Sequence, residues 1–549
     1  MIASYANIDS GLMTAIKRLN GIGMQKLWLV AGCWLLVANA SFGQSADDFR
    51  TNGNVTFAAA ANWQRYNGVA WIADGAAPVQ GDNVITIRAD HTATVTANKA
   101  LDQVVVASGG VLTIDAGQDF TLSNGPGIDL TVSGTVNNSG ILSQPGTVVF
   151  NAFSTYNHNR DKGSIPNITW NASSNCNITG VTTNVPNGLG QSFGNFPWNC
   201  SGQTVSDLNI NPLAVDNGGA VTGDFTLVST GTGSIRLSNI IPRILDISGD
   251  FNISGGTFNL ATNTGSGTVN IGGDFNMTGG TLSETDISSG IFVFDNGGTT
   301  QNFRRTAGTI SNNIGFAVNS TVTIDFGAND YANGGGTFTL SNGATLQTAN
   351  LLGVNGSIQT TSRSLSTSAN YTFDGTAAQV TGTYLPATVN NFTINNINGI
   401  TLTNTVTAGG TLYMNSGNIS TAANTLILSN PLSTALNYTA GIVGRFERFI
   451  NTTSINYFSP VGTIGQIQSL TANFANLTAG SLLVQYITGD PGNLGLPLTD
   501  GDGSQIINQF TTGYWSALAK NSLASTNYNI DLNATGFGPY AMYSDMYEK

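Results

Sequence analysis

Charge is scarce in this chain. Only 9% of its 549 residues are Asp, Glu, Lys or Arg, where a soluble domain ordinarily carries about 25%. A disordered polypeptide would be rich in charge and poor in apolar side chains, but here hydrophobic residues reach 40%, so the chain has enough apolar mass to fold. Helix formers are equally thin, with long stretches free of Glu, Lys and Arg. Basic residues number 18 against 30 acidic ones, a net charge of −12, which argues against a nucleic-acid phosphate backbone as partner. Histidine occurs twice, at His91 and His158, and cysteine three times, too few for a zinc site of ordinary composition.

What the chain has instead is glycine, 68 residues of it, among abundant Thr, Asn and Ser. β-Branched side chains fit the pleat of a sheet, while Gly and Asn supply left-handed turn positions. The composition predicts an all-β protein.

Residues 24 to 43, MQKLWLVAGCWLLVANASFG, have the form of a signal peptide. Lys26 precedes an apolar run over 27 to 37, and Ala38 and Ala40 satisfy a small-residue cleavage rule, which places cleavage between Ala40 and Gln44. Residues 1 to 43 are therefore assigned to the leader, with Met24 as the expected true start. Removing them leaves 15 basic against 29 acidic residues, a net −14. Leu29-Val-Ala-Gly-Cys33 resembles a lipobox, but the apolar run continues through Trp34-Leu-Leu-Val37, which a lipoprotein does not need. The run is also shorter than the roughly 20 residues of a membrane span, and no second span follows. The expectation is a secreted protein or one on the outer cell surface.

Self-similarity sets the architecture. Ile247-Ser-Gly-Asp-Phe-Asn-Ile-Ser-Gly-Gly-Thr-Phe-Asn-Leu260 recurs as Ile271-Gly-Gly-Asp-Phe-Asn-Met-Thr-Gly-Gly-Thr-Leu-Ser-Glu284, and Val221-Thr-Gly-Asp-Phe-Thr-Leu227 is an earlier copy. The aspartates of the two long copies, Asp250 and Asp274, are 24 residues apart. Short β-branched segments such as Val104-Val-Val106 and Val111-Leu-Thr-Ile114 alternate with Gly-Gly, Asn-Gly and Ser-Gly turn signals. No such segment buries its apolar face alone, but stacked coils of about 20 to 24 residues do so collectively. The expected fold is a right-handed parallel β-helix over 84 to 436, behind an N-terminal cap at 44 to 83 and ahead of a small β-sandwich over 437 to 549. A string of β-sandwich modules is the alternative, but its repeat would be near 100 residues.

Cys176 and Cys200 are separated by that same interval. In a solenoid of constant repeat they fall in register on adjacent coils about 4.8 Å apart, within reach of a disulfide that an exported protein can keep. Two free buried thiols are the other reading.

Phe49-Arg-Thr51, Asn62-Trp63, Trp71, Ala77-Pro78, Gly81-Asp-Asn-Val-Ile-Thr-Ile-Arg88 and His91-Thr92 resemble the N-terminal cap of the β-helical cell-surface proteins exported by type IX secretion in Bacteroidota. Ala377-Ala-Gln-Val-Thr-Gly382, Leu385-Pro-Ala-Thr-Val-Asn-Asn-Phe-Thr-Ile-Asn395 and Gly444-Arg-Phe-Glu-Arg-Phe449 resemble their coils and distal sandwich. The likeness implies a fold and a compartment rather than an activity. Its members usually end in a sorting domain, and this chain stops at Met546-Tyr-Glu-Lys549, so either a truncated chain or another route of release is expected.

Catalytic chemistry finds little support. Inverting glycoside hydrolysis needs two carboxyls about 6.5 to 9.5 Å apart across the bond. The segment His158-Asn-Arg160-Asp-Lys162 has an R-x-K spacing like that of polygalacturonases, but without the accompanying paired aspartates, and is read as a solvated loop. Asp115 with Asp119, or Asp246 with Asp250, lacks the basic partner a lyase requires. Asp224, Asp250 and Asp274 follow a glycine in each repeat, where Asp caps turns through backbone N–H groups. Asp500-Gly-Asp502-Gly503 begins like a calcium loop, but Gln505 and Thr511 occupy the positions of the required glycine and glutamate. No nucleophile elbow accompanies either histidine. Thr-x-Thr runs at 92 to 96 and 401 to 407 raise ice binding, although they look sporadic along the chain.

The function expected is thus non-enzymatic: an elongated surface or extracellular adhesin-like protein making weak, multivalent contacts with glycans or other matrix polymers. It needs no cofactor or metal, and it has neither a nucleic-acid partner nor a membrane span after leader removal. Trp170, Trp198 and Tyr413 are candidate stacking platforms. A carbohydrate-active β-helix and an ice-binding protein are the alternatives.

Overall fold

A computed structural model of the chain describes residues 43–285, 289–493, 495–499, 501, 503–533 and 535. Residues 1–42 of the leader, Asp500 and Asp502 lie outside the described residues.

The molecule is an all-β parallel β-helix of about 16 turns with a small antiparallel module built on its end. Short strands arise where apolar and polar residues alternate. Asp119–Leu122 and Thr323–Phe326 bury every second residue and turn the others outward, the period-two geometry of a strand. Strands stack in parallel on the equivalent strands of the coils before and after. The longest ladder holds 17 strands, from Val55–Thr56 to Leu436–Tyr438. A second ladder begins at Phe49–Thr51 and Ile85–Ile87, and a third completes the cross-section over Leu208–Asn209 to Thr309–Ile310. At about 4.8 Å per coil the stack is roughly 75 Å long.

Coil length varies more than the repeat suggests. Residues hydrogen-bonded across one coil step of the long ladder are 20 apart at Asn137 and Asn157, 24 at Asn252 and Asn276, and 29 at Asn195 and Asp224. Differences are absorbed in the corners while the strands stay in line. Gly256 and Gly280, the equivalent glycines of the two long copies, both have φ of 71°, a left-handed turn that glycine adopts without steric cost.

The interior is a continuous apolar column. Phe196, Phe225, Phe251, Phe275, Phe303 and Phe326 occupy one register position on successive coils, and their ring centroids are 6.1, 5.5, 5.7, 4.5 and 4.9 Å apart. All six are fully buried. Each contributes roughly 1.5–3 kcal/mol by burial alone.

Both ends are closed. At the first coil Trp63, 1% exposed, packs on Phe57 at 5.2 Å and Phe49 at 6.5 Å, and the hairpin Trp63–Tyr66 and Trp71–Ala73 extends the sheet in antiparallel fashion. Parallel pairing already begins inside the expected cap, since Phe49 aligns with Ile85 and Val55 with Ala93. At the other end Ile442–Ile450 pairs in parallel with Ile419–Leu428 and in antiparallel with Gly480–Thr488, which in turn pairs with Gly513–Lys520. A facing sheet of Asn456–Ser459, Ser469–Phe474 and Tyr528–Asn533 completes the β-sandwich. The solenoid therefore runs past 436, and the sandwich is continuous with its last coil.

Candidate functional site

The side chains singled out in the sequence are mostly structural. Asp224, Asp250 and Asp274 form a column of rungs: the Asp250 amide donates to Asp224 Oδ1 at 2.8 Å, the Asp274 amide to Asp250 Oδ1 at 2.7 Å, and the Asn302 amide to Asp274 Oδ1 at 2.7 Å. Each accepts backbone N–H as expected, but from the next coil rather than from its own turn. Asp246 likewise accepts from Asn270 Nδ2 at 2.8 Å on the following coil.

In the segment read as a solvated loop, residues 159 to 162 do form a loop with Asn159 and Lys162 exposed, but His158 does not belong to it. His158 is fully buried, its Nε2 2.7 Å from the Lys162 carbonyl, and burial lowers its pKa. Asp161 accepts the amides of Thr182, Thr183 and Asn184 at 2.8, 2.8 and 2.9 Å. Those donors, together with the Thr183 hydroxyl, outweigh partial desolvation and hold its carboxyl far below the usual range. Arg160 donates to the Gly140 carbonyl one coil away. Asp161 and Arg160 bolt adjacent corners together, while Lys162 stays exposed.

The expected cysteine register also fails. Locally the coil is 20 residues long, since Asn175 faces Asn195 and Ile178 faces Trp198. Cys176 is therefore level with Phe196, and Cys200 lies four residues further on, roughly 13 Å of extended chain. Both are free and buried, and the Cys200 thiol donates to the Ile178 carbonyl at 3.3 Å. Burial pushes both thiols up, Cys200 to about 12.

Two of the three aromatic candidates are packing residues. Trp198 is fully buried, with its indole N–H on Gln203 Oε1 at 3.0 Å. Trp170 packs between Phe150 at 4.9 Å and Phe193 at 5.4 Å and donates to Gln191 Oε1 at 2.9 Å. Tyr413 does point outward on the long ladder, between Thr393 and Asn437.

That outward side holds an arrangement the linear sequence hides. Residues at two alternate positions of each coil line up into ranks. One rank runs Thr92, Val111, Thr135, Thr155, Asn175, Asn195, and the other Thr56, Thr94, Thr113, Asn137, Asn157, Asn177. Spacing is about 4.8 Å along a rank and about 6.6 Å across. The amides lock one another: Asn157 Nδ2 donates to Asn137 Oδ1 and Asn177 Nδ2 to Asn157 Oδ1, both at 2.8 Å, and Asn195 Nδ2 to Asn175 Oδ1 at 3.1 Å. Cross-coil amide bonds recur at Asn252–Asn276 and Asn395–Asn415. The ranks contain no charged residue. They form a fixed, neutral lattice of hydroxyls and amides, able to hydrogen-bond at many equivalent points. No family model, curated protein or solved structure matches the chain.

Proposed function

We propose that this is a non-enzymatic, exported, elongated protein of the cell surface or extracellular matrix, whose solenoid flank makes weak, multivalent contacts with neutral glycans. The neutral Thr/Asn lattice between Thr56 and Asn195 carries this reading. A single hydroxyl or amide contact contributes only about 1 kcal/mol, but many on one rigid rod add avidity, because each bound unit raises the effective concentration of the next. The corner carboxylates support a structural role, since backbone amides of neighbouring coils occupy them. Export rests on the leader, and the type IX route and surface attachment rest on the resemblance of the cap and coils.

Binding of the full chain to immobilised neutral polysaccharides, with reducing ends assayed in parallel, tests this. Retention that rises with polymer length and no release of reducing ends is expected. Length-independent binding or turnover would count against it. Ice binding is the second reading, because Thr94 with Thr113 and Thr135 with Thr155 fall into register on adjacent coils. Thermal hysteresis in the absence of glycan affinity would favour it.

A further inference from the structure

Where the polar lattice meets the N-terminal cap, the flat flank becomes concave. A groove of about 520 Å³ opens there, lined by Asn54, Thr56, Ala59, Ala61, Thr92 and Thr94, with Val55 between them. One wall is the parallel pair Val55–Thr56 and Thr92–Val95. The other is the turn that carries Ala59 and Ala61 into Trp63.

The walls are held from behind. Asn54 Oδ1 accepts the Thr92 amide at 2.8 Å, and the Asn54 carbonyl accepts Asn62 Nδ2 at 3.1 Å. The buried Trp63 indole donates to the Thr56 carbonyl at 3.2 Å, and the Phe57 amide to the Thr94 carbonyl at 3.0 Å. His91 Nδ1 sits 2.8 Å from the Thr51 hydroxyl and accepts the Gly53 amide at 3.3 Å, fixing the loop that leads into the groove. A site whose walls are set in advance loses little entropy on binding.

Its chemistry is selective. Among the described residues, the hydroxyls of Thr56, Thr92 and Thr94 and the Asn54 amide nitrogen make no hydrogen bond within the protein. The exposed methyl groups of Ala59 and Ala61 share the same concavity, and no charged side chain lines it. An ionic ligand would bring an unpaired charge, and a purely apolar one would leave the hydroxyls stranded. A sugar ring meets both surfaces, with C–H groups for the methyls and hydroxyls for the threonines.

We infer that this groove is a saccharide subsite, taking one neutral pyranose unit of a chain whose remainder lies along the Thr/Asn ranks. The inference rests on the glycan-contact reading and adds to it a defined anchor point.

Titration of the full chain with a panel of neutral and uronic-acid oligosaccharides, from mono- to hexasaccharide, followed by saturation-transfer NMR, tests it. The variants are Thr56→Val with Thr94→Val, which removes two hydroxyls without changing side-chain shape, and Ala59→Trp, which fills the groove. Unchanged circular dichroism and Tm establish that each is folded. The double variant is expected to bind short neutral oligosaccharides at least tenfold more weakly, and Ala59→Trp to lose them altogether. If wild type and variants bind equally well, or only long polymers bind and do so equally to all three, the groove is not the anchor but the glycan reading stands. Preference for uronic acids overturns the neutral class. Failure of the wild type to bind any saccharide, long or short, overturns both.

Discussion

The coils between Phe196 and Phe326 and the sandwich after Ile442 are both β-structures with buried aromatic residues, but they hold together by different means. In the coils each side chain has a counterpart one coil away, so a single solution is repeated: phenylalanine on phenylalanine, carboxylate to next amide, amide to amide. The sandwich meets its requirements once. Its last two strands, Gly513–Lys520 and Tyr528–Asn533, are largely exposed, with Leu518 56% and Tyr528 54% accessible. Stability in a repeat array is close to a sum of nearest-neighbour terms, whereas a sandwich depends on one shared core. The sharpest way to break the comparison is to remove one ring from each. Phe275 is ringed by Phe251, Phe303, Phe292 and Phe316 at 4.5 to 5.9 Å. Phe474 is 5% exposed and has Tyr528 at 6.2 Å. Phe275→Ala should cost about 4 kcal/mol by cavity formation and Phe474→Ala about 3 kcal/mol. The first should raise amide exchange in the coils on both sides, the second only within the sandwich. Equal losses in denaturant unfolding with exchange confined to one coil would show that the phenylalanine column does not couple its coils.

The two regions share one strand, Ile442–Ile450, and one bolt within it. Arg448 is 2% exposed, level with Leu428 on the solenoid side and Leu482 on the sandwich side. Its guanidinium donates to the carbonyls of Phe458 at 2.9 Å, Leu432 at 3.0 Å and Ser433 at 3.3 Å, and lies 5.3 Å from the Tyr457 ring. Burial lowers its pKa to about 10, still well above neutral, so the cation stays charged, with backbone carbonyls as its hydrogen-bond acceptors. Arg448→Met retains most of the volume but strands three acceptors, which predicts a loss of about 3 kcal/mol. The expected calorimetric result is a sandwich transition split off below that of the solenoid. One unshifted transition would mean that the shared sheet alone joins the regions.

How much of this is legible in the sequence depends on whether coil length is constant. The copies within 247 to 284 announce stacked coils and turn glycines, and the structure has both. Their period misleads at Cys176 and Cys200, because the coil there is shorter, with Asn175 and Asn195 already in register. For the same reason the Thr/Asn ranks cannot be seen in the chain: the steps from Thr92 to Val111, to Thr135 and to Thr155 are unequal, a spacing that resembles no repeat until corners of different size are allowed for. The groove is harder still. It joins Asn54 and Ala61 to Thr92 and Thr94 through a cap whose first strands already belong to the solenoid. Arg448 belongs to Gly444-Arg-Phe-Glu-Arg-Phe449, whose charges give no sign of burial, and only the crossing of two sheets makes it buried.

Even inside the coils the repetition has faults, and one of them offers the finest test of the contrast. The second long copy carries Glu284 where the first carries Leu260, at 2% exposure. Its Oε1 accepts the Asn313 amide at 2.9 Å, but burial dominates over the amides of Asn313 and Gly290 and pushes the carboxyl up to about 7. In the unfolded chain a glutamate ionises near pH 4.3. Between about pH 4.3 and 7 the unfolded state therefore releases a proton that the native state keeps, so this residue's contribution to stability falls as pH rises through that window and levels off above it. Glu284→Gln keeps an acceptor for Asn313 and abolishes the titration. Relative to wild type, the variant should gain Tm progressively from pH 4.5 to 7 and hold a constant advantage beyond. A Tm difference independent of pH over that range would mean that Glu284 ionises as an ordinary surface carboxylate, and that the solenoid tolerates a break in its apolar column at no cost in stability.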